Sequence, residues 1–353
     1  MRFVSGWISG LLVSAVVLVG CGGGGGNSAP PASVPNPLYV RAQGGKDTNS
    51  GADAGNALAS ITKAAQLAGS NYTIFVGPGT YGGGITTART GAVPQGVQFL
   101  ADPTGARTTD APGEVIIDGK GKVQGFNLSN SPGTVIDGFH ITNTVDAGIV
   151  IKSGSDNLQI KNNVLHDSAG DGIRVQDSSN VVVFDNLLYG NNGVGISIVG
   201  QGGGSPNATV LNNTVYNSGG RGLLFGTTSA ASPNAFVRNN VVSGNGGDAS
   251  IKTVTNPRSD LGYDGDFNLV VPPKYIPTNI AGIHDLSVDP QFVDPAHGDF
   301  HLETSSPAVD VGDSVNNLRP LRDILHSRST ASDGHCDGGA LDLGYHYPAV
   351  HCP

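Results

Sequence analysis

The sequence predicts an all-β chain wound as a single-stranded solenoid of short parallel strands, with a capping helix at its N-terminal end and an irregular C-terminal segment. Three observations predict it. A motif of the form apolar-x-x-Asn-x-apolar recurs at spacings of 23 to 27 residues, and each of the first four copies is followed by a second short strand that opens on glycine. The composition, 54 Gly and 13% charged residues, describes many tight turns. It fits neither a helical bundle nor a disordered polyelectrolyte.

Residues 1–20 have the layout of a secretory signal, with Arg2 at the charged start, an apolar run over 8–19 and small residues before Cys21. The run is too short and wrongly flanked to span a membrane. The quartet LVGC at 18–21 resembles a bacterial lipobox, whose cysteine receives diacylglycerol after cleavage in front of it. The resemblance implies a lipidated Cys21, held to the membrane through that anchor alone; Gly22, where an Asp would argue for the inner membrane, points to the outer membrane of a bacterial envelope. The alternative is an ordinary secreted protein. Residues 21–37 follow as a Gly/Ser/Pro tether with nothing to pack.

Residues 38–120 are expected to hold the N-terminal cap and the first coils. Ala59, Ile61, Ala64, Ala65 and Ala68 space a narrow apolar stripe on a helix, suited to covering the open end of a solenoid.

Residues 121–270 carry the regular coils: IDGFHI at 136, IKNNVL at 160, VFDNLL at 183, VLNNTV at 210 and VRNNVV at 237. Superposed, they align Phe139, Asn163, Asn186, Asn213 and Asn240. The second strands are GIVIK from Gly148, GIRVQ from Gly172, GISIV from Gly195 and GLLFG from Gly222. Alternation with period two puts Ile149, Ile151, Ile173 and Val175 on the core face and Val150, Lys152, Arg174 and Gln176 outside. Coils stacked about 4.8 Å apart let identical amides hydrogen-bond along the stack, which is the physical use of a repeated asparagine.

Residues 271–353 form an acidic closing segment. From 259 onward the chain holds four basic against fourteen acidic side chains, whereas the two charges balance before it. With no basic face above that background, nucleic acid is excluded as a partner. With Cys21 lipidated, Cys336 and Cys352 remain, and an exported pair in an oxidising space is expected as a disulfide. Zinc held with His335, His346 and His351 is the alternative.

The repeated unit resembles the right-handed parallel β-helix of pectate-lyase-like proteins over roughly residues 38–270. The segment from Leu38 through GPGTY resembles the opening module of exported β-helix proteins, and DPQFVDPAHGDFHLETSSPAVDVGD with DLGYHYP resembles their closing segment. The turn before each Gly-led strand carries NTVDAG at 143, SAGDG at 168, GNNGVG at 190 and SGGRG at 218. In polygalacturonase-like hydrolases this turn carries Asn-Thr-Asp, a paired Asp-Asp, Gly-His-Gly and then Arg-x-Lys. Here Val145 displaces the first aspartate, Gly170-Asp171 replaces the pair and Val194 stands for the histidine, so the two carboxyl groups that flank a scissile bond are not assembled.

A polysaccharide lyase or an epimerase needs instead a basic side chain to take a proton beside an uronate carboxylate, and a cation to stabilise the carbanion. The candidate catalytic set is Asp146, Asp171, Arg174 and Lys152. Lys161, Arg221 and Arg238 are outward candidates for binding substrate. His166, Tyr189 and Tyr216, with Thr142 below and Ser243 above, form a column on which sugar rings could stack. Asp260, Asp264 and Asp266, in SDLGYDGDFN, offer oxygen ligands for Ca2+. The chain is thus expected to be a monomeric, surface-anchored protein that binds or cleaves an extracellular polysaccharide. The alternative is a non-catalytic carbohydrate-binding or structural solenoid.

Overall fold

The computed structural model describes residues 36–87, 93–200, 205–226, 234–247, 249–253, 263–313 and 323–349. Cys21, Asp260 and Cys352, and the signal and most of the tether, lie outside them. Within them the chain is a right-handed parallel β-helix, the hand expected of parallel crossovers. Its strands stack into three sheets. The first has nine strands from Pro37–Val40 to Asp264–Asp266, the second eight from Gly79–Gly82 to Leu269–Val271, and the third seven from Phe126–Leu128 to Tyr275–Ile276.

Period-two alternation builds the interior. Ile136, Ile160, Val183, Val210 and Val237 form one column, Ile141, Leu165, Leu188, Val215 and Val242 a second, and Ile149, Ile173, Ile196, Leu223 and Ile251 a third. None of these has exposed surface. Each such burial contributes roughly 1.5–3 kcal/mol, which is what sets the register so firmly. At the N-terminal end the helix α1 runs Ile61–Leu67, capped by Ser60 Oγ accepting from Lys63 N at 3.2 Å. It buries Ile61, Ala64 and Ala65 against the core as expected. Ala59 lies before the N-cap Ser60 and Ala68 is the C-cap, so the helix is three positions shorter than the 59–68 stripe suggested.

The asparagine column is an internal ladder. Asn163 Nδ2 donates to Asn186 Oδ1 at 3.0 Å, Asn186 to Asn213 at 2.9 Å, Asn213 to Asn240 at 3.0 Å and Asn240 to Asn268 at 2.9 Å. The stack ends on Asp285, whose Oδ1 accepts from Asn268 N at 2.8 Å. It thus runs one coil further than the repeat suggested, and a carboxylate closes it.

The acidic C-terminal segment does more than close the end. It folds back along the outside, where Phe292, Phe300, Leu302, Ala308, Leu343 and Tyr345 pack on Leu187, Val241 and Leu269 of the second sheet. It also grips the corner between the first and second sheets. Asp185, Asn212 and Asn239 hold left-handed turn conformations there, and they bond His346 N, Asp342 O and Asp313 N respectively. Gly344 is required at this contact: its φ is 88°, and a Cβ would stand 2.6 Å from Thr214 Oγ1.

Candidate functional site

Three polar clusters stand outside the core of the β-helix. The first stands at the turn between the second and third sheets. Arg174 projects outward from Asp171–Gln176, with Val150 below and Ser197 above. Its Nε donates to Asp171 Oδ2 at 2.7 Å, and Nη1 to Asp146 Oδ1 at 2.7 Å. Asp171 uses its other oxygen to accept from Val194 N at 2.8 Å, tying a third coil to the pair. Glycines make this stacking possible: a Cβ on Gly170 would lie 1.6 Å from Asp146 O, and one on Gly193 would lie 2.4 Å from Asp171 Oδ1. Burial alone would lower the Arg174 pKa, but the two carboxylates outweigh it and raise the pKa above its ordinary value.

The surface beside this triad is apolar. Val123 and Val145, 37% and 36% exposed, lie on consecutive coils and are joined by Val145 N to Val123 O at 3.2 Å. Gln124 Nε2 reaches Asp146 Oδ2 at 3.5 Å. Asp146, Asp171 and Arg174 are therefore brought together as expected, but Lys152 is not. Val150 is the residue opposite Arg174, which leaves Lys152 two positions further on, just past the end of the strand Ala147–Ile151, exposed and outside the triad. Arg174 itself, held cationic by two carboxylates, is no proton acceptor.

The remaining expected binding residues are spent elsewhere. Arg238 is buried, its Nε 3.2 Å from Asp313 Oδ2 and its Nη2 on Asp264 Oδ1, so it fastens the C-terminal segment. Lys161 Nζ sits 3.5 Å from Asp137 Oδ2. Arg221 lies on the coil that follows Val194, its carbonyl accepting from Gly195 N at 2.9 Å. The expected calcium ligands also have protein partners: Asp264 pairs with Arg238, and Asp266 accepts from His284 N at 2.7 Å and lies 2.8 Å from its Nδ1. Those bonds hold the Asp266 carboxyl below its ordinary range in spite of burial.

The second cluster is on the second sheet. His166, Tyr189 and Tyr216 do form one column, with Thr142 and Ser243 at its ends. The tyrosines, however, carry the C-terminal segment: Phe300 packs 5.0 Å from Tyr189 and 5.2 Å from Tyr216, and Phe292 lies 5.9 Å from Tyr216. Their faces are a docking surface for the chain's own aromatics, which leaves no open stacking platform there. His166 is at the rim of this cover, stacked on Tyr189 at 4.8 Å and 9°. Its Nε2 faces His140 Nε2 at 2.5 Å, and its Nδ1 lies 2.8 Å from Asp167 Oδ2. On the far side of His140, Nδ1 is 3.6 Å from Glu114 Oε2. Burial, and then the charge of His166, lower the His140 pKa. The sequence held the signal for His140: it precedes Thr142 by two and so shares the outer face of the same strand.

The third cluster is buried under the C-terminal segment. His346 Nε2 donates to Asp337 Oδ2 at 2.9 Å, and Arg328 Nε lies 2.9 Å from Asp185 Oδ2. Burial alone would lower the His346 pKa, but Asp185 and Asp337 push it up to about 9. Asp310, Asp337 and Asp342 bring carboxylate oxygens within 4.8 Å of one another, yet Asp342 accepts from Asp310 N and Thr330, and Asp337 from His346 and Asp342 N. Cys336 is disulfide-bonded and so offers no thiolate to zinc; Cys352, its expected partner, lies outside the described residues.

Comparison with known proteins agrees on the fold. Residues 115–206 match the family described as the right handed beta helix region. The chain is similar to a solved pectate lyase, Pel9A, at 14% identity and a TM-score of 0.45, covering 88% of this chain and 96% of that one. It is similar to a rhamnogalacturonan lyase at 13% identity and a TM-score of 0.38, over 67% of each chain. A periplasmic alginate epimerase, AlgG, is similar at 12% identity and a TM-score of 0.28, over 66% of this chain and 65% of that one. At these identities the likeness is one of fold alone. No curated protein matches the sequence.

Proposed function

We propose that the protein binds an extracellular polysaccharide at the Arg174 surface, without cleaving it, and that lipidated Cys21 tethers it to the outer membrane of a bacterial envelope. The observation that supports binding is the pairing of an ion-locked guanidinium with two exposed valines. Sugar sites combine a few fixed polar groups with an apolar face for the C–H side of a ring. Here Arg174 Nη2 makes no hydrogen bond among the described residues, Asp146 is 44% exposed and accepts, and Val123 and Val145 supply the apolar face. Because Asp146 and Asp171 fix the guanidinium beforehand, little rotamer entropy is lost on binding.

Two carboxylates against one guanidinium give the patch a net negative charge, which suits a hydroxyl-rich stretch of glycan better than a polyanion. Cleavage by elimination lacks support at this surface, since Arg174 is held protonated and Lys152 stands apart. Affinity electrophoresis against neutral and uronate-containing polysaccharides, run beside assays for unsaturated and reducing-end products, tests the proposal. Retardation by a neutral polymer with no product formed is expected. Product formation, or no retardation by any polymer, would overturn it.

A further inference from the structure

We propose that His140 and His166 form a two-nitrogen site for a divalent transition-metal ion, oriented from behind by Glu114 and Asp167. This site is separate from the Arg174 surface and does not depend on the glycan proposal. The two imidazoles come from outward positions of adjacent strands, His140–Thr142 and Val164–His166, set diagonally across one coil step. Each turns Nε2 toward the other, at 2.5 Å, and each turns Nδ1 toward a carboxylate. A carboxylate at Nδ1 keeps the hydrogen on that nitrogen and leaves the Nε2 lone pair to act as ligand, the arrangement found behind metal-bound histidines.

Two lone pairs aimed at one point repel unless a cation stands between them. A single shared proton satisfies the pair, and a metal ion satisfies it in the same way. Two metal–nitrogen bonds of about 2.0–2.1 Å at a tetrahedral angle hold the nitrogens roughly 3.3 Å apart, so seating an ion opens the pair by less than about 1 Å. His166 is pinned by its stacking on Tyr189, so that movement falls to His140. Imidazole nitrogens select Zn2+, Ni2+ or Cu2+ over Ca2+ and Mg2+. The side chains are 23% and 16% exposed at the rim of the C-terminal cover, so water or a ligand oxygen can complete the coordination.

The full-length protein, stripped with a chelator, is titrated calorimetrically with Zn2+ and separately with Ca2+. One equivalent of Zn2+ and no Ca2+ should bind. His140→Ala and His166→Ala should each weaken Zn2+ binding at least tenfold, Glu114→Gln about tenfold. His297→Ala, on the exposed histidine of the C-terminal segment, should leave it unchanged. Thermal melts report whether a variant has folded. His140→Gln, which keeps a polar side chain, and the Zn2+-induced shift of the two Nε2 resonances in the wild type decide the matter if an alanine variant fails to fold. Failure of the wild type to bind one equivalent, or undiminished binding in folded His166→Ala or His140→Gln, would overturn the site.

Discussion

Asn186 donates from Nδ2 to Oδ1 of Asn213 at 2.9 Å, and neither side chain has any exposed surface. The same Asn186 accepts, on Oδ1, from both the backbone N and the Nδ2 of Asn163 at 3.0 Å. Asn186→Ala therefore strands two donors in a buried turn, at a cost of roughly 1–3 kcal/mol each. Thermal and urea melts should show a loss of that order. Asn180 belongs to a second ladder, Asn157–Asn180–Asn207–Asn234, that is exposed and left-handed at each step. Asn180→Gly, which keeps the turn accessible, should change stability by less than about 1 kcal/mol. Equal melts for Asn186→Ala and wild type would place Asn186 outside the core.

His346 makes the docking of the C-terminal segment depend on alkaline pH. Its folded pKa, about 9, lies above the ordinary histidine value of roughly 6.5. A raised histidine pKa contributes stability that is fully present below the unfolded value and lost as pH rises through the folded one. Urea midpoints should hold to about pH 6.5 and fall between there and pH 9, with a loss on the order of a few kcal/mol. His346→Gln should flatten that fall while lowering stability at neutral pH, because Asp337 stays buried without its cation and Asp185 keeps Arg328 alone.

Phe300 fastens the C-terminal segment to the tyrosine column. It is 2% exposed and lies within 5.2 Å of Tyr189, Tyr216 and Phe292 ring centres. Phe300→Ala should cost about 3–5 kcal/mol, localised to the docking of this segment. Hydrogen exchange should quicken over residues 287–313 while the inner coils stay protected. Unchanged exchange there would show that the aromatic contact does not hold the segment.

Lipidation of Cys21 is tested by fractionation. The protein made in a bacterial host should partition with membranes, and Cys21→Ala should move it to the soluble fraction. Wild-type protein recovered in the soluble fraction would remove the anchor.

How much was legible follows from which face a residue serves. The coils could be read because their core letters repeat: Ile149 over Ile173, Asn163 over Asn186. The fold-back of the C-terminal segment could not, since it depends on outward residues with no period of their own. One trace of it was present, in the doubled letters Asn212-Asn213 and Asn239-Asn240, where the second asparagine enters the ladder and the first takes a left-handed turn and meets the returning chain. The same hidden return explains why three of the expected binding residues are covered. Arg238, Tyr189 and Tyr216 do point outward as the alternation required, but what they meet is this chain's own segment. Asp146 and Asp171 could be placed together because they belong to the turn motif that repeats, and Arg174 because the period-two alternation of the strand that follows points it outward. Val123 and Gln124, which complete that surface, belong to an earlier coil in which the motif is not spelled out.

The most direct test of glycan binding at the triad compares Arg174→Ala with Asp171→Ala against the polymer that retards the wild type. Arg174 is outward and partly exposed, so its loss should abolish binding, at least a tenfold fall in affinity by calorimetry. The melt should shift by no more than about 1–2 kcal/mol. Asp171 also bonds Val194 N, so Asp171→Ala should lower stability as well as affinity. A folded Arg174→Ala protein that binds the polysaccharide as tightly as wild type would contradict the assignment of this surface.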